Sequence, residues 1–182
     1  MEFVIPAVLR LLLSLAILRK PFWGMVFAVV IDAVDFDLIG LTNLLITGNN
    51  YVHYPIYMVV DKSLDLYIGI LGLMVARSWA PLIYRTVIVL VCWRVIGVAL
   101  YLMLGQRQVL LFFPNLFDFF FLFYAFADQY MPELRPQTAR QLIAILIILL
   151  IPKLIQEYYL HILNSKLLLE FKHNFFRSVW AK

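Results

Sequence analysis

Charge is what this chain has least of: Asp, Glu, Lys and Arg make up 14% of its 182 residues, where a soluble domain carries about 25%. Cysteine is almost absent. Cys92 is the only one and sits in an apolar run, which excludes a disulfide framework and a thiolate metal cluster. The three histidines, His53, His161 and His173, lie outside the middles of the apolar runs, so no axial ligand for haem or chlorophyll is expected. There is no glycine-rich phosphate loop, no Gly-x-Ser-x-Gly and no Cys/His pair. Despite a net charge of +4, no five-residue window is rich in Lys and Arg. A nucleic-acid partner, which needs a contiguous basic face, is not expected. Disorder is excluded by 16% aromatic residues and little low-complexity sequence.

What remains is apolar. Hydrophobic residues reach 64% and the mean hydropathy is +0.91, the composition of an integral membrane protein. The expected fold is a single all-α transmembrane domain over residues 1–182, polytopic, with about five transmembrane helices. Turn clusters and prolines divide it into spans near 22–47, 55–76, 82–104, 109–127 and 140–163, the last interrupted by Pro152. Residues 3–18 are apolar but short, with Arg10 in their middle, and read as an N-terminal interfacial helix within 1–20. If they cross the membrane, the spans number six. The tail, 164–182, reads as a basic amphipathic helix: Leu167, Leu168, Phe171, Phe175 and Trp180 share one arc, and Lys166, Glu170, His173 and Arg177 the other. Lipid headgroups are its expected partner, with another membrane subunit as the alternative.

Orientation follows from the basic residues of the short loops. Arg10, Arg19, Lys20, Arg77, Arg85, Arg135 and Arg140 fall on one side, against Arg107 on the other. That bias predicts a cytoplasmic N-terminus.

The chemical anomaly lies inside the spans. Asp32, Asp35 and Asp37 fall in the middle of the first, Asp61 and Asp65 in the second, and Asp118 in the fourth. Lys62 and Arg94 are the bases counted at comparable depth, while Lys153 and Glu157 are spaced to pair with each other. Each unpaired charge there costs at least about 2.5–3.5 kcal/mol, so six acids facing two bases demand neutralisation by protons, a metal ion or water. Asp32 and Asp35 share one helix face, and Asp61 and Asp65 another. A short hairpin connection at 48–54 lets the four converge. Four carboxylates suit a hard divalent cation such as magnesium, calcium or manganese. Asp37 points elsewhere, toward Lys62 or Arg94, and Arg94 is expected to meet Asp37 or Asp118. Asn115 and Asp118, beside Pro114, form a candidate second polar lobe. The Phe112–Phe126 run reads as a surface for lipid and helix packing.

The DxxD of Asp32 and Asp35 followed by the DxxxD of Asp61 and Asp65 is loosely similar to the pattern of the CDP-alcohol phosphotransferase family. The resemblance covers residues 32–65 and implies four metal-binding aspartates serving transfer of a CDP-linked group to an alcohol. The family's Gly-x-x-Ala-Arg continuation is replaced here by Phe36-Asp37-Leu38-Ile39-Gly40. Three function classes therefore stand: a cation- or proton-handling (transport-like) membrane protein, an accessory or scaffold subunit of a membrane complex, and a divalent-metal-dependent enzyme on a lipid or phosphorylated substrate.

Overall fold

The computed structural model describes residues 4–47, 54–106 and 108–161, without the side chains of 36, 37, 43, 45–47, 54, 55 and 159–161. The amphipathic tail at 164–182 and the turn at 48–53 lie outside the described residues, as does the Asp37 side chain. The described chain is all-helical: α1 (Val4–Ser14), α2 (Pro21–Thr47), α3 (Tyr54–Ala76), α4 (Pro81–Leu104), α5 (Gln108–Phe112), α6 (Leu116–Tyr130) and α7 (Ala139–His161), with 3-10 turns at Leu15–Leu18 and Pro132–Leu134. An apolar medium leaves backbone groups no solvent partner, so long apolar runs close their hydrogen bonds within a helix.

Three segments are long and apolar enough to cross a membrane: α4, the α5–α6 pair taken together, and α7. Helices α2 and α3, of 27 and 23 residues, have the length. Each carries three charged residues near its middle, Asp32, Asp35 and Asp37 in one and Asp61, Lys62 and Asp65 in the other.

Local chemistry sets the boundaries. Pro81 occupies the first turn of α4, where its missing N–H costs nothing. Gly105 ends that helix at φ 67°, a left-handed cap that a side chain would strain. Pro114 divides the expected fourth span into α5 and α6, because a proline interrupts the hydrogen-bond ladder and clashes with the preceding turn. Pro152 does not interrupt α7, contrary to the sequence expectation: the helix runs through it from Ala139 to His161. Membrane helices tolerate such a proline when neighbouring groups meet the freed carbonyl.

α1 doubles back along α2. Gly24 lies against the backbone of Ala16 and Ile17, and Arg10 reaches Asp35, so the two run antiparallel. The buried residues of α1 are Pro6, Arg10 and Ser14, a stripe at four-residue spacing, while Ile5, Leu9, Leu11, Leu12 and Leu13 are exposed. An interfacial helix turns its polar face to water; α1 turns its polar stripe into the protein.

The core gathers on α6. Phe117, Phe120, Phe121 and Tyr124 are buried, and Trp79 packs on Phe121 and Tyr124 at ring-centroid distances of 4.9 and 4.6 Å. Of the eight phenylalanines in the run, Phe117, Phe120 and Phe121 are buried, Phe113, Phe119, Phe123 and Phe126 are half-buried, and Phe112 is exposed. Gly72 lets α3 approach the Phe117 ring, as Gly24 lets α2 approach the turn after α1.

Gly24→Ala should lower the melting temperature in detergent more than Gly72→Ala. The added methyl meets backbone at Gly24 and a side-chain ring at Gly72, and overpacking costs about 1–3 kcal/mol, more where nothing can yield.

Candidate functional site

Four elements bring charge to one point. Arg10 comes from α1, Asp32 and Asp35 from α2, Asp61, Lys62 and Asp65 from α3, and Arg94 from α4. The Arg10 guanidinium is at the centre. One of its terminal nitrogens donates to Asp35 Oδ2 and Asp61 Oδ1, both at 2.8 Å. The other donates to Asp65 Oδ1 at 2.9 Å and pairs closely with Asp32. The residue is 1% exposed. A planar fork of donors suits this role better than an ammonium, because it can divide itself among several carboxylates.

The outer contacts complete the network. Lys62 Nζ lies 2.6 Å from Asp61 Oδ2 and 3.3 Å from Asp65 Oδ2. Arg94 donates to Asp65 Oδ2 at 2.9 Å and to the Phe113 carbonyl at 3.0 Å. The Tyr57 hydroxyl donates to Asp35 Oδ1 at 2.8 Å. Ser14 Oγ, one turn from Arg10, bonds back to the Arg10 carbonyl at 2.7 Å.

Asp32, Asp35, Asp61 and Asp65 therefore converge as their spacing implied, and one guanidinium joins them. Arg10 was counted from sequence among the bases of one membrane side; it is the third cation of the cluster. Within the cluster three cations facing four acids leave one formal negative charge; over the six acids counted from sequence, Arg10 lowers the imbalance by one. Arg94 does point inward at an aspartate, but it reaches Asp65 rather than Asp118, and the Asp37 side chain lies outside the described residues. Nearness in space explains the difference, since α3 and α4 pack along their lengths.

The second polar lobe also forms. The Asn115 side chain donates to Asp118 Oδ2 at 2.6 Å, and its backbone N–H, freed by the break at Pro114, donates to Glu157 Oε1 at 3.2 Å. Lys153 Nζ sits 3.3 Å from Glu157 Oε1, 3.0 Å from Gln156 Oε1 and 5.2 Å from the centre of the Phe119 ring. Arg94 links the two lobes through Phe113, because the helix break exposes that carbonyl.

The capacity for metal lies in part of the cluster. Asp32, Asp61 and Asp65 each offer an oxygen within 4.8 Å of the others, a spacing one oxygen-ligated cation can bridge. Asp35 is not part of that triad and pairs with Arg10 and Tyr57, while the three also carry cation partners of their own. Asp32 is the most open of the four: its side chain is 40% exposed, against 5–7% for the other three.

Sequence reasoning missed Arg10 and Tyr57. For Arg10 a signal was present: Pro6, Arg10 and Ser14 recur every four residues in an otherwise apolar helix, which marks one inward stripe. For Tyr57 no local pattern exists, because its partner belongs to another helix.

Comparison with protein-family models, curated proteins and solved structures gave no match. Function is therefore argued from the site alone.

Arg10→Ala should destabilise the protein by about 3–5 kcal/mol, because it leaves the buried Asp35 and the half-open Asp32 without a cation and takes one from Asp61 and Asp65, while Arg19→Ala on the exposed turn should stay within about 0.5 kcal/mol. Asp65→Asn should cost more than Asp32→Asn, since Asp65 meets three cations in the interior and Asp32 is partly open. Thermal melts of the purified variants in one detergent give both rankings.

Proposed function

We propose that this chain is a cation- or proton-handling integral membrane protein, in which Arg10 holds the place that a free cation or protons take in exchange. A single observation carries the reading: four carboxylates from two helices close on one tethered cation at mid-helix depth, and three of them keep ligand spacing. A guanidinium satisfies that ring without a resident ion. A divalent cation arriving by way of Asp32 would compete with it for the same oxygens.

In this reading five helices cross the membrane: α2, α3, α4, the α5–α6 pair and α7. At 1.5 Å per residue α2 and α3 extend about 40 and 35 Å, beyond the roughly 30 Å hydrocarbon core. Their charges turn toward one another, while Phe27, Val30, Val34, Ile56, Val59, Ile70 and Met74 remain exposed for lipid. The side bearing Arg19, Lys20, Arg77, Arg85, Arg135 and Arg140 is then cytoplasmic. A cytoplasmic N-terminus was expected with α1 in the interface and Arg10 counted on that side. With α1 folded back along α2, the bias places the start of α2 there, and the depth of α1 decides where the chain begins.

The near balance of charge supports a second reading, an accessory or scaffold subunit whose acids are internal ties between helices. The enzyme reading draws support from the aspartate triad, three of the four residues that the phosphotransferase resemblance implies.

Melting temperatures in magnesium, calcium or manganese separate these readings, because a ligand binding only the folded state stabilises it by about 2.7 kcal/mol at a hundredfold excess over Kd. The cation reading expects a rise in the wild type and a larger one in Arg10→Gln, where the tethered competitor is gone. It also expects loss of the effect in Asp32→Asn combined with Asp61→Asn. Stabilisation by acid without any metal response selects protons. Indifference to both leaves the scaffold.

A further inference from the structure

α6 packs against both α2 and α7, which form no comparable interface with each other among the described residues. The gap is an apolar groove of about 420 Å³, lined by Phe22 of α2, Phe119, Phe123 and Phe126 of α6, and Leu149 and Pro152 of α7. Its floor is almost wholly carbon.

The groove has a direction. One end is at the first turn of α2 and the last turn of α6, where Phe22 packs against Phe126 at 5.4 Å and Tyr130 at 5.6 Å. There Trp23 Nε1 donates to the Tyr130 hydroxyl at 2.8 Å, an amphipathic ring pair of the kind found at headgroup level. The other end stops at Phe119 and Pro152, beside the buried Lys153. From Tyr130 to Phe119 is about 16 Å of helix, roughly half the hydrocarbon thickness. Measured from the aromatic pair, the inner end of the groove lies about one leaflet deep, and its own lining on α6, Phe126 to Phe119, covers about 10 Å of that.

Charge at that end is mostly basic, with Glu133 as an exposed acid in the turn after α6. Arg19 and Lys20 immediately precede α2, Arg140 opens α7, and all three are exposed. Arg135, at the same end, is held by Asp128 through its carboxylate and its carbonyl. The three exposed bases offer donors to a phosphate at the level of the aromatic pair.

From this arrangement we infer that the groove between α2, α6 and α7 is a binding site for an anionic phospholipid, with one acyl chain in the groove and the phosphate at Arg19, Lys20 and Arg140. Annular lipid covers any membrane protein without regard to headgroup. This site selects by charge at the mouth and by chain length in the groove, and it is independent of the cation reading.

The test uses the full chain, delipidated in detergent, with phosphatidylglycerol or phosphatidylcholine added and bound lipid counted by native mass spectrometry. The expected result is a preference of about tenfold for phosphatidylglycerol, from bases close to an anionic headgroup. Arg19→Gln with Lys20→Gln and Arg140→Gln, all on the surface, should remove that preference. Leu149→Trp, which fills the groove, should weaken binding of both lipids. A short-chain phosphatidylglycerol should bind more weakly than a long-chain one, a comparison that needs no variant. Equal retention of the two lipids by the wild type would overturn the site. So would glycerol phosphate competing as well as the whole lipid, since that describes an anion patch without a groove.

Discussion

A single guanidinium, divided among four carboxylates in the protein interior, holds this structure together. A buried charge left alone would be strongly unfavourable, and the arrangement is stable because every charge in it has an opposite one within about 3.3 Å. The consequence is geometric. Arg10 has to be at the meeting point of α2 and α3, so α1 is laid along them with its polar stripe inward and its leucines outward. The Asp65–Arg94 contact then ties α4 to the same centre.

The helix break at Pro114 extends this polarity across the bundle. Interrupting a membrane helix frees backbone groups that must find partners in the protein. Here the Phe113 carbonyl takes Arg94 and the Asn115 N–H takes Glu157. The same break lets α6 begin with its phenylalanines turned to the core, so polar and apolar packing are set by one proline.

Much of the fold was legible because membrane helices have simple grammar. The expected spans 22–47, 55–76 and 82–104 differ from α2, α3 and α4 by a residue at most, since Thr47-Gly48-Asn49, Pro55 and Gly105 mark ends by backbone chemistry alone. Pro152 defied the same grammar: whether a proline ends a helix depends on what its neighbours supply. The phenylalanine run was similarly ambiguous, because apolar residues facing lipid and apolar residues facing a core have the same composition.

By itself the sequence determined that this is a helical membrane protein, where most of its helices begin and end, and which four aspartates can share a layer. Those properties depend on length, hydropathy and spacing within one helix. Only the tertiary structure decided that Arg10 neutralises the four aspartates, that Tyr57 and Arg94 choose Asp35 and Asp65, and that Asp32 alone stays open. The reason is physical: the energy of a buried charge is set by the distance to groups tens of residues away in the chain. That distance exists only once the helices have packed.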